Sequence, residues 1–153
     1  MEIKRLCAAE IQALLPLVWE VFLTYEAAEY PERGKQAFWS AIHDPEYLSS
    51  LCAYGAYDGG EAVGILATRE KGSHVALFFV KGDDHGRGIG RRLWNAALEE
   101  SRAKSITVHS SRFAVPVYEK LGSVRQGTEQ ETEQETDGIR YVPMQYTREA
   151  DGT

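Results

Sequence analysis

Cysteine is scarce in this chain of 153 residues: only Cys7 and Cys52 occur, and they stand far apart. That excludes a disulfide framework and a clustered-thiolate metal centre, and reduced thiols in a cytoplasmic protein are the expectation. Long apolar runs are missing too. No stretch approaches the roughly 18 residues a membrane span needs. The opening Met1-Glu-Ile-Lys-Arg-Leu6 holds no uninterrupted apolar core, and Glu10 and Pro16 break up the next stretch, unlike a secretory signal. Positive charge is not in excess: the net charge of −6 argues against general nucleic-acid binding, and mild acidity suits an amine-bearing partner. The four histidines (His43, His74, His85, His109) form neither H-E-x-x-H nor a pairing with cysteine, so no metal is expected. Ser110-Ser111 lacks the G-x-S-x-G elbow of hydrolases.

What remains is an ordinary globular composition, 43% hydrophobic and 26% charged, enough for one domain with a real core. Its most informative stretch is Val80-Lys-Gly-Asp-Asp-His-Gly-Arg-Gly-Ile-Gly-Arg-Arg92. A strongly apolar run, Val75 to Val80, precedes it, and Ile89, Leu93, Ala96 and Ala97 follow at one-face helical spacing. Strand, glycine turn and helix in that order aim backbone N–H groups and a helix N-terminus at an anion. Glycine lets the main chain approach phosphate closely. A dinucleotide fingerprint beginning at Gly86 would need glycine at position 91, which is Arg91, and no Gly-Lys-Ser/Thr of a P-loop occurs. The segment therefore reads as a pyrophosphate cradle of another kind.

Periodicity organises the rest. Residues 2–6 read as a first strand. Ile11, Leu14, Leu15, Val18, Phe22 and Tyr25 give an amphipathic helix over 9–25, which Pro16 is expected to kink or end early. A loop over 26–34 leads to a second helix, Lys35 to Ile42, with Trp39 in the core. Residues 51–58 and 61–69 flank Asp58-Gly59-Gly60, a hairpin signal. His74 to Val80 is a fourth strand, buried on both faces. Ser105 to His109 is a fifth, and Val124–Gln126 and Arg140–Tyr146 complete the sheet. Glu129-Gln-Glu-Thr132 is repeated at once as Glu133-Gln-Glu-Thr136. With no apolar residue, the repeat reads as a lengthened mobile hairpin loop, with an acidic lip for a cationic acceptor as the functional alternative. The domain is expected over 1–147 and a solvated tail over 148–153.

Gly88 and Gly90, opening a helix after a strand, resemble the Q/R-x-x-G-x-G/A signature of the GNAT superfamily of N-acetyltransferases; His85 stands at the Gln/Arg position. Ser110 to Gly122, with Tyr118-Glu-Lys-Leu-Gly122, resembles the family's helix after the fifth strand, and Ala114, Val117, Tyr118 and Leu121 share one face. Asp137-Gly-Ile-Arg-Tyr-Val-Pro-Met144 is similar to the last strand of a bacterial GNAT group. The resemblance implies an α/β (α+β) fold. Its sheet is mixed, mostly antiparallel and twisted, with about seven strands, helices on both faces and a splay between strands 4 and 5. The pantetheine arm of the coenzyme enters that splay.

The implied activity is acetyl transfer from acetyl-CoA to a primary amine of a small molecule or protein, by direct attack on the thioester. A non-catalytic acyl-CoA-binding or regulatory module on the same fold is the alternative. The cradle residues are His85, Gly86, Arg87, Gly88, Ile89, Gly90 and Arg91. A main-chain N–H near Phe79 or Val80 would polarise the thioester carbonyl. Tyr118 would protonate the departing sulfur. An alkylamine is mostly protonated near neutral pH, so a base is required. His74, where some family members carry a catalytic Glu, is the leading candidate. Glu26 and Glu29 are alternatives; with Tyr30 they border the acceptor site in the family. Homodimers are common among similar proteins.

Overall fold

The computed structural model describes residues 1–82, 87–127, 130–131 and 140–148. Strand β1 (Glu2–Leu6) leads into helix α1 (Ala8–Tyr25). The helix starts at Cys7, whose N–H donates to the Glu10 carboxylate at 2.9 Å in a capping box. That bond and the Lys4 ammonium at 2.8 Å hold the Glu10 carboxyl down to about 2. Pro16 neither ends nor breaks α1: it lies on the exposed side, so the Gln12 carbonyl it leaves unpaired faces water. A 3₁₀ turn (Ala27–Glu29) occupies the expected loop. Helix α2 (Glu32–Ile42) begins earlier than its periodicity indicates, and a short α3 (Pro45–Ser49), capped by Asp44, comes next.

Strands β2 (Cys52–Asp58) and β3 (Glu61–Arg69) form the expected hairpin. Its turn residues Gly59 and Gly60 have φ of 60° and 85°, which glycine adopts without strain. Next come β4 (His74–Val80), α4 (Ile89–Glu100), β5 (Ser105–Ser110), α5 (Val115–Lys120), β6 (Val124–Arg125), β7 (Gln130–Glu131) and β8 (Arg140–Thr147). Among the described residues the sheet order is β1-β2-β3-β4-β5-β8-β6, with β7 also paired to β8. Every pairing is antiparallel except β4–β5. Of the tandem repeat, Gln130 and Glu131 form β7; its other residues lie outside the described ones.

The sheet separates two cores. On one face α1, α2 and α3 bury Ile11, Leu14, Val18, Phe22, Ile42 and Leu48 against Ile65, Leu77 and Phe79. On the other, α4 and α5 bury Ile89, Leu93, Trp94, Ala97, Val115 and Tyr118 against Leu66, Val75, Val108 and Met144. Two apolar residues sit otherwise than expected: Trp39 is 42% exposed beside His43, and Val117 is 42% exposed while Val115 is buried. Arg148 donates to the carbonyls of Leu98 and Ser101 at 2.7 Å and of Ala103 at 2.8 Å, satisfying acceptors at the C-terminal end of α4.

Candidate active site

The parallel β4–β5 ladder holds only at His74↔Thr107 and Val75↔Val108. Beyond it both strands run on, β4 to Val80 and β5 to Ser110, without pairing to each other. This is the expected splay. Lys81 donates to Val63 across the β3–β4 ladder at 2.9 Å, and strand donors alternate sides. The N–H groups of Phe78 and Val80 are therefore directed toward the β5 side, and that of Phe79 toward β3.

At the mouth of the splay stands the N-terminus of α4. Gly88 is its cap residue in the left-handed region, φ 79° and ψ 8°, and the first helical bond runs from Arg92 N–H to the Gly88 carbonyl at 3.1 Å. The N–H groups of Ile89, Gly90 and Arg91 precede that bond, and among the described residues no side chain caps them. A Cβ on Gly88 would project into open space, while one on Gly90 would lie 3.4 Å from the Phe78 ring. Of the arginines, Arg87 pairs with Asp58 at 3.0 Å, Arg91 donates to the Lys120 carbonyl at 2.8 Å, and Arg92 turns toward Met1. Arg91 thereby ties α4 to the end of α5. His85 and Gly86 lie outside the described residues.

A cleft of about 340 Å³ opens here, lined by Gly88 to Arg91 on one side and by Phe113, Val117 and Tyr118 on the other. A smaller cavity of about 100 Å³ lies toward α1 and α2, lined by Phe22, Tyr30, Phe38, His109 and Ser111. Glu26, Phe78, Phe79, Ala114 and Tyr118 line both. Glu26 follows the last turn of α1, its N–H closing that helix on Phe22 at 2.9 Å. Burial pushes its carboxyl up to about 7, with Glu29 adding to the rise and the hydrogen bond from the Ser111 hydroxyl opposing it. Tyr118 is 5% exposed, and burial, with the Glu26 charge, raises its phenol far above the usual range. Burial raises the Tyr30 phenol likewise.

His74 lines neither cavity. It sits at the paired end of β4, its Nδ1 2.8 Å from Thr107 Oγ1 and its ring 5.1 Å from that of His109. Burial, then the Arg69 and His109 charges, lower it to about 4. Glu29 is exposed and also lines neither. Sequence reasoning passed over Ser111, Phe78 and Phe113. Ser111 carried no motif, and Phe78 would have been found only by the alternation of β4.

A family model described as "Acetyltransferase (GNAT) domain" matches residues 26–148. The UPF0039 proteins Rv2851c of Mycobacterium tuberculosis and Mb2876c of Mycobacterium bovis are each 30% identical over 148 residues, covering 92% of this chain and 86% of theirs. A GCN5-related N-acetyltransferase structure from Rhodopseudomonas palustris superposes with a TM-score of 0.81 at 18% identity, covering 96% of this chain and 95% of its own. PaiA N-acetyltransferase from Thermoplasma acidophilum, solved with coenzyme A, gives 0.72 at 15% identity, covering 97% and 100%. The fold and the splayed cleft are those of an N-acetyltransferase. The chain belongs to the GNAT acetyltransferase family and is an enzyme of that class. Among the described residues no helix is long and apolar enough to cross a membrane, and no three His, Cys, Asp or Glu gather as a metal site.

Proposed function

We propose that this enzyme acetylates a primary amine with acetyl-CoA, with Glu26 as general base and Tyr118 as proton donor. The observation that carries the reading is the N-terminus of α4, which no side chain caps among the described residues, opening onto a cleft that leads past both side chains. The residues fit the coenzyme: three main-chain donors without side-chain partners among the described residues precede the first helical bond, and Gly88 and Gly90 leave the approach clear. Bound there, acetyl-CoA supplies an activated acyl thioester.

The N–H groups of Ile89, Gly90 and Arg91 would hold the diphosphate, aided by a helix dipole worth about 0.3–1 kcal/mol to an anion. Arg91 lines that site; Arg87, held by Asp58, contributes charge from its rim. The N–H groups of Phe78 and Val80 face the splay, and a preorganised donor of this kind is worth about 3 kcal/mol in acyl transfer. Phe79 contributes its ring to the wall rather than an N–H.

The acceptor would lie in the smaller cavity beside Tyr30. We assign the base to Glu26 in preference to His74, because Glu26 lines both cavities and titrates near neutrality. Ser111 orients it by donating to its carboxylate. Tyr118, held neutral by burial, keeps the proton that the departing sulfur takes up. Thiol release from acetyl-CoA across a panel of primary amines tests the reading. Turnover is expected with at least one class of amine; stabilisation by CoA with no turnover would favour a non-catalytic binder.

A further inference from the structure

The walls of the smaller cavity limit which amines can reach Glu26, first by charge. Among the described residues Glu26 is its only carboxylate, and no lysine or arginine lines it. The remaining stretches, 83–86, 128–129, 132–139 and 149–153, contain neither lysine nor arginine in their sequence. His109 lines the cavity too; burial, then the Arg69 charge, lowers its proton affinity, so the ring is neutral near neutrality. The Glu29 charge also reaches Glu26. An anionic substituent would therefore enter a cavity that holds a carboxyl and no cation to pair with. An α-amino acid could not avoid this, because its carboxylate sits on the carbon that bears the amine.

The second limit is size. The cavity measures about 100 Å³, below the roughly 150 Å³ of an apolar cavity that holds benzene. Its helix side is built of rings: Phe22 lies 5.0 Å from Tyr30 and 4.4 Å from Phe38. All three line this cavity and not the cleft. Phe22 is 1% exposed and belongs to the core, whereas Phe38 is half-buried on α2. Phe38 is thus the ring that can be shortened to enlarge the cavity with the least disturbance of the core. We infer that the acceptor is a compact primary amine whose substituent is uncharged and smaller than a phenyl ring, with Phe38 setting the size limit. The inference rests on the smaller cavity being the acceptor site of the acetyltransferase.

Four acceptor series test it on the full chain, each scored by thiol release from acetyl-CoA. Ethylamine and butylamine are compared with alanine and norvaline, the same amines carrying an α-carboxylate. Alaninamide and norvalinamide match those acids in bulk without the charge, and benzylamine and phenethylamine carry a ring. The native enzyme should favour the amides over the acids by at least about a hundredfold in kcat/KM, the effect of an unpaired like charge. It should favour the alkylamines over the ring-bearing amines by at least about tenfold. Phe38→Ala should lower KM for the ring-bearing amines by at least about tenfold, with CoA affinity and the discrimination against acids retained. Phe38→Leu, a milder truncation, should shift KM the same way by less, and it carries the test if the alanine variant does not fold. Acids used as well as their amides overturn the inference. So does a native preference for the ring-bearing amines, or a folded Phe38 variant with the native size preference. Turnover confined to acids or ring-bearing amines overturns it while the acetyltransferase reading stands. No thiol release in any series or with the wider panel of primary amines defeats both.

Discussion

Glu26 and Tyr118 make opposite demands on the same burial. Enclosure raises both, which leaves a carboxyl able to take a proton near neutrality and a phenol that keeps its own. Glu26→Gln should cut kcat by about 10²- to 10⁴-fold, the range for loss of a general base, with CoA affinity unchanged. The same variant carries a signature in stability. Glu26 holds its proton to about pH 7 when folded and loses it near 4.5 otherwise, so folding takes up a proton between those values. Its contribution is full below pH 4.5 and is lost as pH rises through 7. His74 runs the other way: lowered from 6.5 to about 4, it contributes fully above 6.5 and loses that as pH falls through 4. Thermal melts should therefore show Glu26→Gln gaining on the native chain from pH 4.5 to pH 8, with the acid-side loss from His74 unchanged. A gap that does not widen with pH would contradict the burial of Glu26. Tyr118→Phe should lower turnover while CoA affinity stays within about twofold, since the role proposed for the phenol comes after the coenzyme is bound; native turnover would remove Tyr118 from the chemistry.

At the scale of elements, function depends on where α4 begins and how firmly it is held. Gly88 is held at φ 79°, where a non-glycine residue costs about 1–2 kcal/mol or more, and the space around its Cβ position is open. Gly88→Val should therefore leave a folded, somewhat less stable protein while weakening CoA binding by at least about tenfold, measured by calorimetry. Arg148 does the complementary work at the far end of α4. Arg148→Gln should cost about 1–3 kcal/mol in chemical denaturation, the range for charge-assisted bonds to backbone, without changing CoA affinity. These elements differ in how much of them the sequence discloses. Gly88 and Gly90 are visible because glycine at the start of a helix has a specific use, and Gly59-Gly60 because a tight hairpin needs positive φ. Pro16 misleads because its ring sits on the exposed face of α1, where a lost hydrogen bond is replaced by water. The start of α2 and the existence of α3 depend on packing against α1, which local periodicity does not record.

For the whole molecule, what decides the chemistry is convergence. Glu26 comes from the end of α1, Ser111 from the end of β5, Tyr118 from α5 and the splay donors from β4. Tyr118 is legible because it travels in a short motif. Glu26 and Ser111 are not a motif at all; they meet only once α1 lies across the sheet beside the point where β4 and β5 part. His74 attracts attention as a titratable residue on the right strand, yet strand direction puts it at the closed end of the splay. The two cores explain how such distant residues are held: the sheet is packed on both faces, and among the described residues its strands part only between β4 and β5. The most direct test is amide NMR of the labelled protein titrated with coenzyme A. The N–H resonances of Ile89, Gly90 and Arg91 are predicted to shift most, downfield and saturably. Coenzyme binding that leaves those three resonances in place would contradict a diphosphate site at the start of α4.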